Sequence, residues 1–385
     1  MTEPRVRFPG GGAFQRDLKS RVAAHLAAAG VSGRDPFAMY LKTVLLFAWL
    51  ASSYVLLIFV AERWWEVVPL AVLVGLATAG IGFGVQHDGG HNGYSSRPWV
   101  NAVMAATLDL VGGSSYIWRY KHGVVHHTYT NIPHVDQDTD VGPWARLTPL
   151  HRKRRFHRFQ HLYLWALYGL LPVKWHFIDD YRNLAGGHIG TQPYPRPKGR
   201  ALVGLFVGKA AFYSWTVVIP LYFHWVWTSV LVYALASATL GVALAVTFQL
   251  AHCLEEAEYP AAQGLMEAGW AEHQVATTVD FARDSELLCW YLGGLNFQVE
   301  HHLFPQICHI HYPALSRIVE ATCVDHGIRY RAHATAGSAL RSHYRWLRRM
   351  GSGPQPGETE QPVVALVEAL LPAPAPVAAG ATAVS

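Results

Sequence analysis

This sequence predicts an all-α integral membrane fold. Four transmembrane helices form two hairpins, and a cytoplasmic helical cap holds a histidine-rich di-metal site. Three observations predict it. The 385 residues are 51% hydrophobic and only 15% charged, whereas a soluble domain carries about a quarter charged residues. Four apolar stretches are each long enough to cross a bilayer, whose hydrocarbon core needs about 20 helical residues. Three histidine clusters, His87-Asp-Gly-Gly-His91, His122-Gly-Val-Val-His126-His127 and Gln298-Val-Glu-His301-His302, lie at or beyond the ends of those stretches.

From the amino terminus, residues 1–41 are expected to form a polar cytoplasmic segment. Met1 to Asp35 lacks the short apolar core of a signal peptide. Residues 42–349 are expected to form the membrane domain. Its first span is placed at 44–61 and its second at 67–85, separated by the polar break Glu62-Arg63-Trp64-Trp65-Glu66. The second hairpin is placed at 201–222 and 226–249, with only Phe223-His224-Trp225 between the two spans. Two shorter apolar stretches, 99–116 and 162–173, are expected to be interfacial or buried helices. The first is broken by Asn101, Asp109 and Gly112-Gly113, and the second is too short to cross. Residues 350–385 turn Gly-, Pro- and Ala-rich, the composition of a disordered tail with at most a short helix near 363–371.

Lysine and arginine set the expected orientation. The stretch 118–200 holds 13 basic and five acidic residues, whereas the short loop after the first span holds one arginine and that after the third holds no basic residue. A positive-inside bias places both termini, the long loop and every histidine cluster in the cytoplasm. The run Arg152-Lys153-Arg154-Arg155 is assigned to anionic lipid headgroups rather than to nucleic acid. Four cysteines without C-x-x-C spacing suggest reduced thiols rather than a disulfide framework.

Imidazole suits iron, zinc, copper and nickel. Histidines at i and i+4 share one helical face, so both reach one ion. Seven such positions in three clusters suffice for two ions, and His252, just past the fourth span, is placed to join them. His224 lies on the far side of the membrane. His25, His151, His157, His161, His176, His188, His326, His333 and His343 are expected at the solvated surface, while His134, His273, His309 and His311 are candidates for supporting contacts. Among the acids, Asp88, Asp136, Asp138, Asp140 and Glu300 lie near enough in sequence to accept the second N–H of a ligating imidazole.

The histidine boxes, ordered around two apolar hairpins, resemble those of the membrane fatty-acid desaturases. Gly293 to Pro305, G-G-L-N-F-Q-V-E-H-H-L-F-P, is similar to the third box of front-end desaturases, where Gln replaces the first histidine. Trp118 to Asn131, Asp136 to Pro143 and Phe248 to His252 resemble bacterial acyl-CoA desaturases of the linoleoyl-CoA type, and the likeness runs from about Val6 to Tyr344. This resemblance implies two non-haem iron ions, O2 as co-substrate and insertion of a double bond into a long acyl chain, with acyl-CoA as the favoured substrate. It implies as ligands His87, His91, His122, His126, His127, His252, His301 and His302, with Gln298 at the variable position. The fused haem domain of many eukaryotic relatives, marked by His-Pro-Gly-Gly, is not expected, since Phe8-Pro9-Gly10-Gly11 has no histidine. Electrons are therefore expected from a separate ferredoxin, cytochrome or flavoprotein reductase, attracted to a basic cytoplasmic surface. The expected location is a bacterial cytoplasmic membrane.

Rival assignments fare less well. A hydroxylase or ketolase on the same scaffold would use the same boxes, and the third box favours desaturation. A metal transporter would need ligands inside the spans, yet 44–61 offers only Ser52, Ser53 and Tyr54. A zinc hydrolase would need the H-E-x-x-H glutamate, which H-D-G-G-H lacks.

Overall fold

Long runs of Leu, Val, Ala and Ile without interior charge form helices that satisfy their own backbone, the requirement for crossing lipid. A computed structural model describes residues 6–354 except positions 191 and 263. Helix α1 is Ala13–Ala28 and α2 is Phe37–Phe59. Helix α3 is Trp64–Gly90, and α4 is Pro98–Leu110. Helix α5 covers 115–129, α6 is Gln160–Gly169, and α7 covers 171–186. The second hairpin comprises α8, Arg200–Phe223, and α9, Val226–His252. The cap is completed by α10 (Trp270–Thr277), α11 (Glu286–Leu292), α12 (Gln298–Leu303), α13 (Tyr312–Asp325) and α14 (Ala336–Ser352). Two ladders of two-residue strands accompany them, antiparallel between His188–Ile189 and Gln192–Pro193 and parallel between Asp280–Phe281 and Ala332–His333. The expected tail and its short helix near 363–371 lie outside the described residues.

The four spanning helices are α2, α3, α8 and α9, as the two-hairpin pattern predicts. Their bounds differ from the apolar runs. Helix α2 begins at Phe37 because Lys42, which interrupts the apolar run, is buried and hydrogen-bonded to His309 Nε2 at 2.9 Å. Helices α3 and α9 have 27 residues each. At 1.5 Å per residue they are about 40 Å long, roughly 10 Å more than the hydrocarbon core. His87 lies in the last turn of α3, and His252 is the last residue of α9. At the other end of the hairpins, His224 Nε2–H donates to the Ile58 carbonyl at 2.7 Å, tying the turn between α8 and α9 to the end of α2.

The centre of the bundle is α3, packed against α2 and α9. Gly75 makes this approach possible: a Cβ there would lie 2.5 Å from the Ala236 carbonyl oxygen. Among the described residues, four π-bulges interrupt the helices, at Gly82–Gln86, Lys121–His126, Trp175–Asp179 and Ser214–Val218. The first precedes His87 and the second contains His122 and His126. Such bulges recur at functional sites because the extra residue re-aims the side chains that follow.

Four histidines expected at the surface are buried instead: His151, His157, His176 and His343. Each sits where long-range packing folds a loop or helix back on another element, which local polarity does not encode. His343, on α14, donates from Nδ1 to the Cys253 carbonyl at 2.7 Å and faces the Tyr168 hydroxyl at 2.8 Å. The four cysteines are free, as their spacing suggests.

Candidate metal centre

The eight histidines expected as ligands converge at the cap end of α3 and α9, and all are buried. Their nitrogens fall into groups within 4.8 Å: His87, His91, His122 and His301 in one, His126, His252 and His302 in another. His127 stands between these groups, within the same distance of His301 and His302. His87 Nε2 is 3.2 Å from His122 Nε2, and His301 Nε2 is 3.0 Å from His127 Nε2. Two nitrogens bound about 2.1 Å from one ion at angles near 90–110° would be roughly 3.0–3.4 Å apart. The spacing therefore fits imidazoles sharing ions. His91 Nε2 and His302 Nε2 are buried without a hydrogen-bond partner among the described residues. Such orphaned acceptors are costly unless something binds them.

Surrounding groups fix which nitrogen faces the cluster. His126 Nδ1–H donates to Asp136 Oδ2 at 3.0 Å. His302 Nδ1–H donates to Gln274 Oε1 at 2.8 Å, which also accepts from Thr130 at 2.9 Å. In both rings the remaining Nε2 lone pair is left to the site, the tautomer a metal ligand needs. The Tyr312 hydroxyl is 3.3 Å from His301 Nδ1. Trp118 stacks on His122 at 4.7 Å between ring centroids and covers His87 and His91 edgewise. Gln298 Nε2 lies 2.9 Å from His252 Nε2, so the amide at the variable position sits against the histidine cluster.

Burial, then repulsion among neighbouring imidazoles, holds the pKa values of His127, His301 and His302 well below 6.5. These rings are neutral at physiological pH and available as donors. At His126 burial opposes charging too, but the charge and hydrogen bond of Asp136 outweigh it and the pKa is raised.

The acids expected to orient imidazoles divide. Asp138 lies 3.6 Å from both His122 Nδ1 and His126 Nδ1 and 3.1 Å from Lys121 Nζ. Asp88 instead accepts from His309 Nδ1 at 2.8 Å and from the His309 backbone at 3.2 Å. Asp140 is exposed and caps the Gly142 amide at 2.8 Å. Glu300 faces Tyr330 at 3.0 Å and is pushed up by burial and by Asp280. Asp280 in turn accepts from the Val299 amide at 3.0 Å, so this acid pair props the start of α12. Adjacency along a helix placed Asp88 and Glu300 beside ligands, yet consecutive helical residues face different directions. Gln274 and Tyr312 were missed because each reaches the site from a distant segment without a motif of its own. Trp118 and Thr130 lie within the 118–131 segment already singled out.

Apolar space adjoins the cluster. A narrow cavity reaches His87 and is walled by Phe83, Leu108, Trp118, Leu244 and Phe248, among others. A second lies among α2, α3, α8 and α9, lined by Tyr54, Trp215 and Ser229, and shares wall residues with the first.

The sequence model of the fatty acid desaturase family matches residues 63–334. The sn-1 linoleoyl-lipid 6-desaturase of Arthrospira platensis is 36% identical over 362 residues, covering 94% of this chain and 98% of its own. The enzyme of the same name from Synechocystis sp. is 36% identical over 91% of this chain and 99% of its own. The acyl-lipid (8-3)-desaturase of Physcomitrium patens is 35% identical over 88% of this chain and 72% of its own.

Proposed function

Since this chain belongs to the fatty acid desaturase family, we propose that it inserts a double bond into an acyl chain of a membrane lipid, using O2 and two iron ions. The observation that carries this reading is the pair of imidazole groups at the end of an apolar cavity that reaches His87. The substrate follows the relatives, whose names specify lipid-bound chains, and so replaces the acyl-CoA favoured on motif resemblance. The overall change is R–CH2–CH2–R′ + O2 + 2e⁻ + 2H⁺ → R–CH=CH–R′ + 2H2O. The electrons come from a separate ferredoxin, cytochrome or flavoprotein reductase.

An unactivated C–H bond is beyond any side-chain acid or base, and iron with O2 supplies the oxidising power. His87, His91, His122 and His301 would hold one ion, His126, His252 and His302 the other, with His127 between them. Asp136 and Gln274 keep the Nε2 lone pairs of His126 and His302 directed inward. Trp118, Phe83 and Phe248 keep the chamber apolar and accept a chain that carries no charge. Because successive methylenes are chemically alike, the passage has to select the reacting carbons by shape. Both termini and the cap are assigned to the cytoplasmic side of a bacterial membrane.

The test is the lipid acyl profile of a host expressing the intact chain or His126→Ala, with double bonds located by mass spectrometry. A new unsaturated chain made only by the intact protein is expected. A hydroxylated product would transfer the assignment to an oxygenase of the same scaffold, and metal analysis showing zinc without iron in a natively prepared sample would overturn the iron assignment.

A further inference from the structure

His176 stands where the two cavities meet. Thr78, Val111, His176 and Leu240 line both of them. The His176 side chain is pinned on both polar atoms. Its Nδ1 is 2.8 Å from the Tyr233 hydroxyl, and the Val111 carbonyl is its other partner. A carbonyl only accepts, so the ring donates to Val111 and takes the Tyr233 proton at Nδ1. Phe212 packs against the ring at 4.4 Å between centroids.

The backbone is held as firmly. The His176 carbonyl accepts from the Tyr213 hydroxyl at 2.8 Å and from Lys209 Nζ at 3.4 Å, and Lys209 is paired with buried Asp180 at 2.7 Å. The ring enters only because position 112 is glycine. Its φ is +102°, and a Cβ there would lie 2.5 Å from His176 Cδ2. Burial, helped by the charge of Lys209, pushes the imidazole pKa down to about 3. The ring is thus neutral and has no unpaired donor to offer a passing chain. What it contributes is a fixed width.

We propose that His176 is a specificity-determining residue: clamped between Tyr233 and Val111, it sets the bore between the two cavities and thereby which acyl chain lengths place their reacting carbons beside the histidine cluster. This rests on the reading of the cavities as the acyl passage. The methyl end of the chain lies in the distal cavity, beyond the waist. A rigid waist resists sliding of the chain, whereas a wide one tolerates several registers.

The test uses the full chain in a host supplied with octadecadienoyl and eicosadienoyl precursors. His176→Ala removes the bulk and should raise the eicosadienoyl-to-octadecadienoyl product ratio by about tenfold or more, tenfold being the lower limit for one methylene in an apolar pocket while these chains differ by two. His176→Phe retains a ring of similar size without the hydrogen bonds and should restore the parental ratio even where total activity falls. An unchanged ratio in an active His176→Ala protein, or an equal fall on both chains, would overturn the proposal. A second measurement needs no variant and no activity. A fatty acid bearing a diazirine at its methyl end should label the distal cavity at Tyr54, Trp215 or Tyr233, and labelling confined to lipid-facing surfaces would count against the proposal. No new double bond from the intact chain on any precursor would remove the functional reading and this inference with it, whereas a product with an unmoved ratio removes only the inference.

Discussion

Gln274 accepts the Nδ1 proton of His302 and the hydroxyl proton of Thr130 through one buried oxygen. Its truncation leaves the imidazole free to rotate or change tautomer. Gln274→Ala is expected to weaken metal binding about 10–100-fold, the usual effect of losing a partner behind a ligand. Gln274→Glu keeps an acceptor and should retain most of the affinity. Competition with a chelator on purified protein measures both, and equal affinity in all three proteins would remove Gln274 from this role. The histidine clusters themselves were legible in sequence, since paired histidines near apolar ends stand out along the chain. Gln274 was not legible, because an amide on an unremarkable helix acquires its role only when α10 packs beside α12.

At the scale of an element, the π-bulge before His87 sets the rotation of everything after it. Inserting one alanine after Gly84 adds a residue in helical register and should rotate His87 and His91 by about 100° relative to the lower part of α3. Loss of about half the bound metal is expected, read by metal analysis of protein that still elutes as a folded species from size exclusion. Full retention of metal would show that the bulge does not aim these rings. Gly75→Leu tests the packing of α3 on α9. Its side chain would enter the Ala236 backbone, and overpacking of this kind costs about 1–3 kcal/mol. A lower thermal unfolding midpoint in detergent is expected, and an unchanged one would show that the helices can separate freely. Apolar length and hairpin order could be read from composition, but the bulges could not. A π-bulge is a compromise between backbone hydrogen bonds and the position its side chains must take, and that position is set by other elements.

For the whole molecule, buried neutral histidines link stability to pH. His343 and His273 are pushed down to about 4, in both cases chiefly by burial. Their folded pKa values lie below the unfolded value near 6.5. The unfolded chain therefore binds protons first as pH falls, so the stability they confer is full above about 6.5 and is lost as pH drops towards 4. Each contributes at most about 1.4 kcal/mol per pH unit in that window. The unfolding midpoint should decline below pH 6.5, and His343→Gln should flatten the decline; parallel curves would exclude His343 as a source. Orientation is tested on the intact cell. A membrane-impermeant thiol reagent should reach Trp64→Cys from outside and Arg155→Cys only after permeabilisation, both positions being exposed. The reverse pattern would invert the assigned topology.

The sequence by itself determined the membrane class, the two hairpins and the histidine clusters at their ends, because apolar length and histidine spacing act locally along one helix. It determined the family for the same reason, since the boxes are contiguous. Tertiary structure alone decided that Asp136 and Gln274 aim the rings while Asp88 turns to His309. It also decided that His176, expected at the solvated surface, is buried where two apolar cavities meet. Those outcomes depend on which surfaces meet when α4, α7, α9 and the cap pack, and burial is a property of that meeting rather than of any segment.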